Sequence, residues 1–398
     1  MRPPRTSTAR PALWTVVLAS AITVALLAAY VVWRVGDDGG STRDATASSE
    51  AAPDGKAPDA EPTATDGGPS RSFTIAATGD FLIHSPVWNQ ALSNGGGVGY
   101  DFGPMLEAVT PEISAADLAI CHVETPLSAD NSDLSGYPLF NAPFELAGAI
   151  SAAGYDACST VSNHSLDQGA EGIETTLGHL DAAGIEHAGT ARSAEEAAEP
   201  NLYDVEGVQV GHLAYAYGFN GIPIPAGMPW LVNEIDADRI LADAGTLREA
   251  GSEFTVVSLQ WGQEDLRDPT PEQRALAQQL LGSDDIDLII GHHVHVVQPM
   301  EKIDDKYVIY GVGNFLSNQS EACCPAGSQD GVIVHVEVEE QPDGSFLATS
   351  VTYTPTFVER PDYRIVPVSA ASNPASYART LEAVTLLGPY KFDGSPTL

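Results

Sequence analysis

The chain has 398 residues, 43% of them hydrophobic, enough to build a large core in one or two domains. It carries 18 Lys and Arg against 54 Asp and Glu, a formal net charge of −36, which argues against a nucleic-acid backbone as partner. Four cysteines are too few to scaffold a chain of this size.

Residues 1–11 are basic and Pro-rich and read as a cytoplasmic tail. Residues 12–33 are uncharged, and a spanning helix needs about 20 residues. Trp14, Tyr30 and Trp33 lie near the ends of that stretch, as interfacial anchors do, and the arginines lie mostly on its N-terminal side. The expectation is a single-pass signal anchor in the cell membrane with the rest of the chain extracytoplasmic. A cleaved signal peptide is the rival reading, but its apolar core is usually only about 7–15 residues long. Residues 34–70 are mostly Gly, Ser, Ala, Thr, Pro and Asp, with almost no large apolar side chains, and read as a disordered acidic linker.

Order begins at Ser72. Strands are expected at Phe73–Thr78, Asp117–Val123, Ala157–Val161, around His187, and at Val208–Tyr215. Further strands are expected at Phe254–Leu259, Asp287–Ile290, Tyr307–Val312, Val332–Val338 and Phe346–Tyr353. Helical patterns cover Phe144–Ala153, Ile173–Ala183, Asp236–Ala250 and Pro271–Leu281, the last with Pro at its start. Strands interleaved with helices predict an α/β sheet with helices on its faces. Residues 366–398 form a C-terminal segment without a clear pattern. Cys121 and Cys158 sit in apolar runs and read as core residues. Cys323 and Cys324 are neighbours in a polar loop.

The strand ends carry the chemistry. Asp80 follows the first strand, Glu124 the second, Asn163 and His164 the third, and Gln260 the Phe254 strand. The apolar run Asp287–Ile290 breaks at Gly291, and His292, His293 and His295 follow. In open α/β sheets, sites form beyond the carboxyl ends of strands. Carboxylates, amides and imidazoles together suit two divalent cations rather than one structural zinc. Such a pair stands ~3.5–4 Å apart and needs a bridging carboxylate. It would also supply positive charge that this acidic chain lacks.

Several stretches resemble one family. They are Gly79-Asp80, His122-Val123-Glu124-Thr125-Pro126-Leu127, Ser162 to Gly169, Gln260 to Glu264, His293 to Pro299 and Tyr310 to Phe315. Together they resemble the poly-γ-glutamate capsule biosynthesis protein CapA family, which is similar in fold to the calcineurin-like metallophosphoesterases. The resemblance implies a layered sheet with flanking helices over residues 71–365, preceded by one transmembrane helix. It also implies that Asp80 binds one metal ion and Glu124 bridges two. Asn163 and His293 would bind the second ion, His295 the first, and His164 would be the acid that protonates a leaving group. Gln260, a further candidate metal ligand through its amide oxygen, stands where the family usually has His. Leu82 stands where calcineurin-like enzymes carry another, with His84 two residues on. His84, His292 and Asn314 are expected to support the site.

The implied function is production or export of an anionic capsule or wall polymer, with a metal-dependent hydrolase or phosphoesterase site. A non-catalytic subunit of a membrane polymer synthase and a metal-dependent, epimerase-like peptide-modifying enzyme are the alternatives. The expected partners are the cytoplasmic membrane, synthase subunits, and an anionic polymer or a phosphoester or peptide substrate, with no nucleic acid.

Overall fold

The computed structural model describes residues 70–397. The expected basic tail, anchor and nearly all of the linker lie outside the described residues. Among the described residues no helix is long and apolar enough to cross a membrane.

Strands β1 (Ser72–Leu82), β2 (Leu118–Val123), β3 (Ala157–Ser159) and β4 (Glu186–Ala188) alternate with five helices. These are α1 (Ser85–Asn94), α2 (Gly103–Leu106), α3 (Thr110–Ile113), α4 (Glu145–Ala152) and α5 (Gly169–Ala183). Strands β5 (Leu202–Val205), β6 (Val208–Ala216), β7 (Phe254–Gln260) and β8 (Leu288–His292) follow, with α6 (Ala237–Glu249) and α7 (Pro271–Leu281) between them. Then come β9 (Met300–Ile303), β10 (Lys306–Ile309), β11 (Asn314–Ser317), β12 (Asp330–Glu340), β13 (Phe346–Glu359) and β14 (Arg364–Pro367). Helix α8 (Pro374–Val384) and β15 (Ser395–Pro396) end the described chain.

These strands form two sheets, where the interleaved pattern predicted one. The first runs β14-β13-β12-β1-β2-β3-β4, with β11 beside β1 and β15 beside β13. The second runs β5-β6-β7-β8-β10-β9. In the first sheet β1 to β4 run parallel and β12 to β14 extend one flank antiparallel. In the second, the parallel strands β6, β7, β8 and β10 are flanked by antiparallel β5 and β9. The sheets pack face to face over an apolar layer drawn from both, including Phe73, Ile75, Ile120, Val256, Ile290 and Val334. Phe73 meets Phe254 edge-on across that layer at 5.8 Å. The outer faces are covered separately. α1 to α5 pack on the first sheet, and α6 and α7 on the second.

Local signals explain the cleanest boundaries. Thr270 and Gln273 form a reciprocal capping box at the start of α7, with Pro271 at its first turn. Gly184, at φ +74°, closes α5 in the left-handed conformation that favours glycine. The C-terminal segment, unplaced from sequence, supplies α8, capped by the Asn373 side chain. It also adds Ala383, Val384 and Phe392 to the inter-sheet layer.

The two core cysteines carry a bond that their sequence context did not signal. Cys121 and Cys158 are fully buried, but they are bonded to each other across the paired strands β2 and β3, with Cα atoms 4.4 Å apart. Cys323 and Cys324 remain free thiols.

Candidate metal centre

The carboxyl ends of β1, β2 and β3 in one sheet meet those of β7 and β8 in the other, and the strand-end residues converge there. β1 does not stop at Thr78 but runs on to Leu82. A Cβ on Gly79 would lie 1.9 Å from the Gly313 carbonyl oxygen, so only glycine lets the backbones come this close. The Asp80 amide donates to that same oxygen at 3.1 Å. Asp80 is thereby fixed, fully buried, in register with His122 on β2. Residues two apart on a strand share a face, so His122 and Glu124 turn the same way.

The histidine loop reaches the site by bending its backbone. His293 and His295 adopt φ +85° and +57°. Left-handed conformations cost about 1–2 kcal/mol for a residue with a Cβ and persist where surrounding contacts impose them. Asn314 supplies one such contact, its Nδ2 donating to the His295 carbonyl at 3.3 Å. The bend brings both imidazoles to the Glu124 carboxylate. Two triads of ligand atoms form, Glu124–His293–His295 and Asp80–His122–Glu124, and within each all atoms lie within 4.8 Å of one another. Glu124 belongs to both.

The Asp80 side is rich in polar atoms without partners. His295 Nδ1 lies 3.0 Å from Asp80 Oδ2. His292 Nδ1 stands 3.3 Å from Asp80 Oδ1, close enough for charge attraction but not aligned for a hydrogen bond. Asp80 Oδ1, His122 Nε2, both Glu124 oxygens and both His292 ring nitrogens are buried without hydrogen-bond partners. Glu124 is 1% exposed. Its Oε1 lies 3.7 Å from His295 Nε2. An unpaired buried carboxylate costs several kcal/mol, and a set of oxygen and imidazole donors aimed at one space is what a divalent cation would satisfy.

The titration directions follow from burial and from the charges packed together here. Burial pushes Glu124 well above the ordinary carboxylate range. Burial also opposes ionisation of Asp80, but His292 and His295 more than offset it and hold Asp80 low. Burial alone would lower His295, yet Glu124 and Asp80 raise it to about 10. Burial lowers His293 to about 3 and His122 well below its usual value, so both present neutral imidazole.

The Asn163 side is instead closed on itself. The Asn163 backbone amide donates to Gln260 Oε1 at 3.2 Å, which fixes which end of the Gln260 amide is oxygen. Gln260 Nε2 then faces Asn163 Oδ1 at 2.6 Å and His293 Nδ1 at 3.2 Å. Asn163 Nδ2 donates to Asn220 Oδ1. Gln260, expected as an oxygen ligand, thus turns its nitrogen toward His293 and serves as a clamp in this arrangement. Asn163 Oδ1 keeps a second lone pair.

His164 Nδ1 lies 2.7 Å from Asp167 Oδ2, which also accepts the Phe140 amide at 2.7 Å. With Asp167 Oδ2 accepting from His164 Nδ1–H, Nε2 is left as the ring's working nitrogen. His84 does not stand in for the imidazole absent at Leu82. Its Nδ1 lies 3.1 Å from the Leu82 carbonyl, and its ring packs edge-on against Phe140. Burial lowers it to about 4.

Reading motifs alone missed three contributors. His122 was available from its two-residue spacing to Glu124, and Asp167 from its three-residue spacing to His164 in one turn. Asn220 lies in the loop after β6, where a lone Asn gave no signal.

The family profile described as bacterial capsule synthesis protein PGA_cap matches residues 74–319. The capsule biosynthesis protein CapA of Bacillus anthracis is 24% identical over 259 residues, covering 63% of this chain and 61% of that one. The PGA biosynthesis protein CapA of Bacillus subtilis (strain 168) is 26% identical over 200 residues, 50% of each chain. The chain thus spans between half and about three fifths of the length of these relatives. Among solved structures, the calcineurin-like phosphoesterase YfkN from Bacillus subtilis overlays on 79% of this chain and 99% of that chain, with TM-score 0.44 and 13% identity. A likeness that distant carries no chemistry.

Proposed function

The chain belongs to the bacterial capsule synthesis protein PGA_cap family, and from that premise we propose a membrane-anchored, extracytoplasmic protein of capsule-polymer assembly with a divalent-metal hydrolase site. The polymer class is an anionic one of the poly-γ-glutamate kind, as the names of the relatives suggest. The observation that carries the metal reading is Glu124, a buried carboxylate with neither oxygen partnered, shared by two triads of ligand atoms. By the family resemblance Asp80, Glu124 and His295 would hold one ion, and Glu124, His293 and Asn163 the other, although the ligand atom of His295 also lies within 4.8 Å of those of His293 and Glu124.

Bound there, divalent ions would polarise a phosphoryl or carbonyl oxygen and make a bound water acidic near neutral pH. The protein's own part is to keep the donors dry and oriented, and to move one proton. His164, held at Nδ1 by Asp167, would have to carry a second proton on Nε2, as imidazolium, and would deliver that proton to the leaving group, returning to the neutral ring. The Cys121–Cys158 disulfide supports the extracytoplasmic placement, because such bonds persist in oxidising compartments.

A second reading, a synthase subunit that keeps the fold without turnover, draws on Gln260, which offers nitrogen where an imidazole ligand would serve. Hydrolysis assays on the full chain with Mn²⁺ separate the two, using a phosphodiester panel and poly-γ-glutamate as substrates. Cleavage that chelator and Glu124→Gln both abolish supports the hydrolase. A metal-loaded protein that cleaves none of them supports the subunit.

A further inference from the structure

We propose that His122 is itself a metal ligand, the nitrogen donor of the ion beside Asp80, held in its ligating tautomer by Ser159. The inference rests on the metal reading above and extends it to a residue that the motifs leave without a role.

His122 Nδ1 lies 2.8 Å from Ser159 Oγ. The same hydroxyl is directed at the Cys121 carbonyl oxygen, 3.4 Å away. When the hydroxyl proton is directed at that carbonyl, Ser159 Oγ accepts from His122 Nδ1–H, and this is the arrangement a ligating His122 requires. A neutral imidazole has one N–H. Nε2 therefore carries the lone pair, and it is buried with no partner. The His122 ligand atom lies within 4.8 Å of those of Asp80 and Glu124. Ligating histidines characteristically donate their other ring N–H to an outer oxygen in this manner.

Two further contacts hold the ring. His292 stacks on it with centroids 4.3 Å apart and planes 19° apart. His122 and Ser159 form a register pair of β2 and β3, directly after the pair Cys121 and Cys158. The disulfide thus cross-links the strands one residue before the hydrogen bond that orients the ligand. A one-residue slip of this register would turn Ser159 to the opposite face. His122 would supply, from the neighbouring strand, the imidazole that Leu82 does not.

The test is Mn²⁺ titration of the metal-stripped full chain, counting bound ions and recording the electron paramagnetic resonance of the loaded protein. Wild type should bind two ions with the spin-coupled spectrum of a bridged pair. His122→Ala should bind one and give an uncoupled spectrum. Ser159→Ala should weaken one of the two sites about 10–100-fold, and Ser159→Thr, which keeps the hydroxyl, should restore it. Two ions of unchanged affinity in His122→Ala, with binding lost in Glu124→Gln, would overturn the role of His122 and leave the metal centre standing. Binding that Glu124→Gln does not alter would overturn the metal centre, and this inference with it. Should His122→Ala fail to fold, Ser159→Ala decides, and unchanged affinity there rejects the proposal.

Discussion

The two halves of the centre are built on opposite rules. Around Asp80, His122, Glu124 and His292, buried donors and acceptors stand without hydrogen-bond partners. Around Asn163, Gln260 and Asn220, side-chain amides answer one another. The first arrangement is one that a bound cation would relieve, and the second leaves its amides satisfied by one another. Burial is therefore a poor guide to function by itself. What distinguishes a site is burial without a partner, because natural cores leave few polar atoms unmatched.

The largest effect that could break this contrast is expected at Glu124. Glu124→Gln should remove tight Mn²⁺ binding, and it should also stabilise the metal-free protein by about 1–3 kcal/mol, since a neutral amide replaces a stranded acid. Calorimetry with and without Mn²⁺ reads both signs. A metal-free variant less stable than wild type would mean that the attraction of His295, 3.7 Å away, outweighs the cost of burying the Glu124 carboxyl.

His164 should lose chemistry without losing metal. His164→Ala is expected to slow hydrolysis of esters with poor leaving groups by ~10²–10⁴-fold. Nitrophenyl esters, which need less protonation, should suffer less. Equal slowing of both, with a lower melting temperature, would reduce His164 to packing.

The disulfide clamps the unpaired half. It closes a loop between residues 37 apart, which the chain-entropy model values at about 4 kcal/mol. Cys121→Ala with Cys158→Ala should lower the denaturation midpoint accordingly. It should also weaken the ion beside Asp80 more than the ion beside Asn163. Unchanged binding at both would uncouple the cross-link from the site.

The smallest effect is expected from the half whose amides are satisfied. Gln260→Ala should change Mn²⁺ affinity only slightly, because the Gln260 oxygen is occupied by the Asn163 amide. Gln260→His should tighten the ion beside Asn163, most clearly for Zn²⁺, which prefers imidazole to amide. A large loss in Gln260→Ala would restore Gln260 as a ligand.

Much of this plan was legible in the chain. Ligand types at successive strand ends placed Asp80, Glu124, Asn163, His293 and His295 at one cleft, because parallel strands deliver their carboxyl ends to a common edge. The start of α7 was legible because Thr270, Pro271 and Gln273 act within one turn. Features that depend on partners far along the chain were not. The division into two sheets is invisible to periodicity, since buried parallel strands in either sheet read as the same apolar run. The Cys121–Cys158 bond depends on the register of β2 against β3. α8 was missed although Asn373 and Pro374 mark its start, because the residues after them are mixed. The direction of the Gln260 amide follows from a backbone N–H 97 positions away.

The most direct test of the centre is a crystal of the domain soaked in Mn²⁺ and measured at the manganese absorption edge. Two anomalous peaks ~3.5–4 Å apart, with one Glu124 oxygen reaching each, are the predicted result. Peaks that leave Glu124 without a metal contact, or no peak at this cleft, would contradict it.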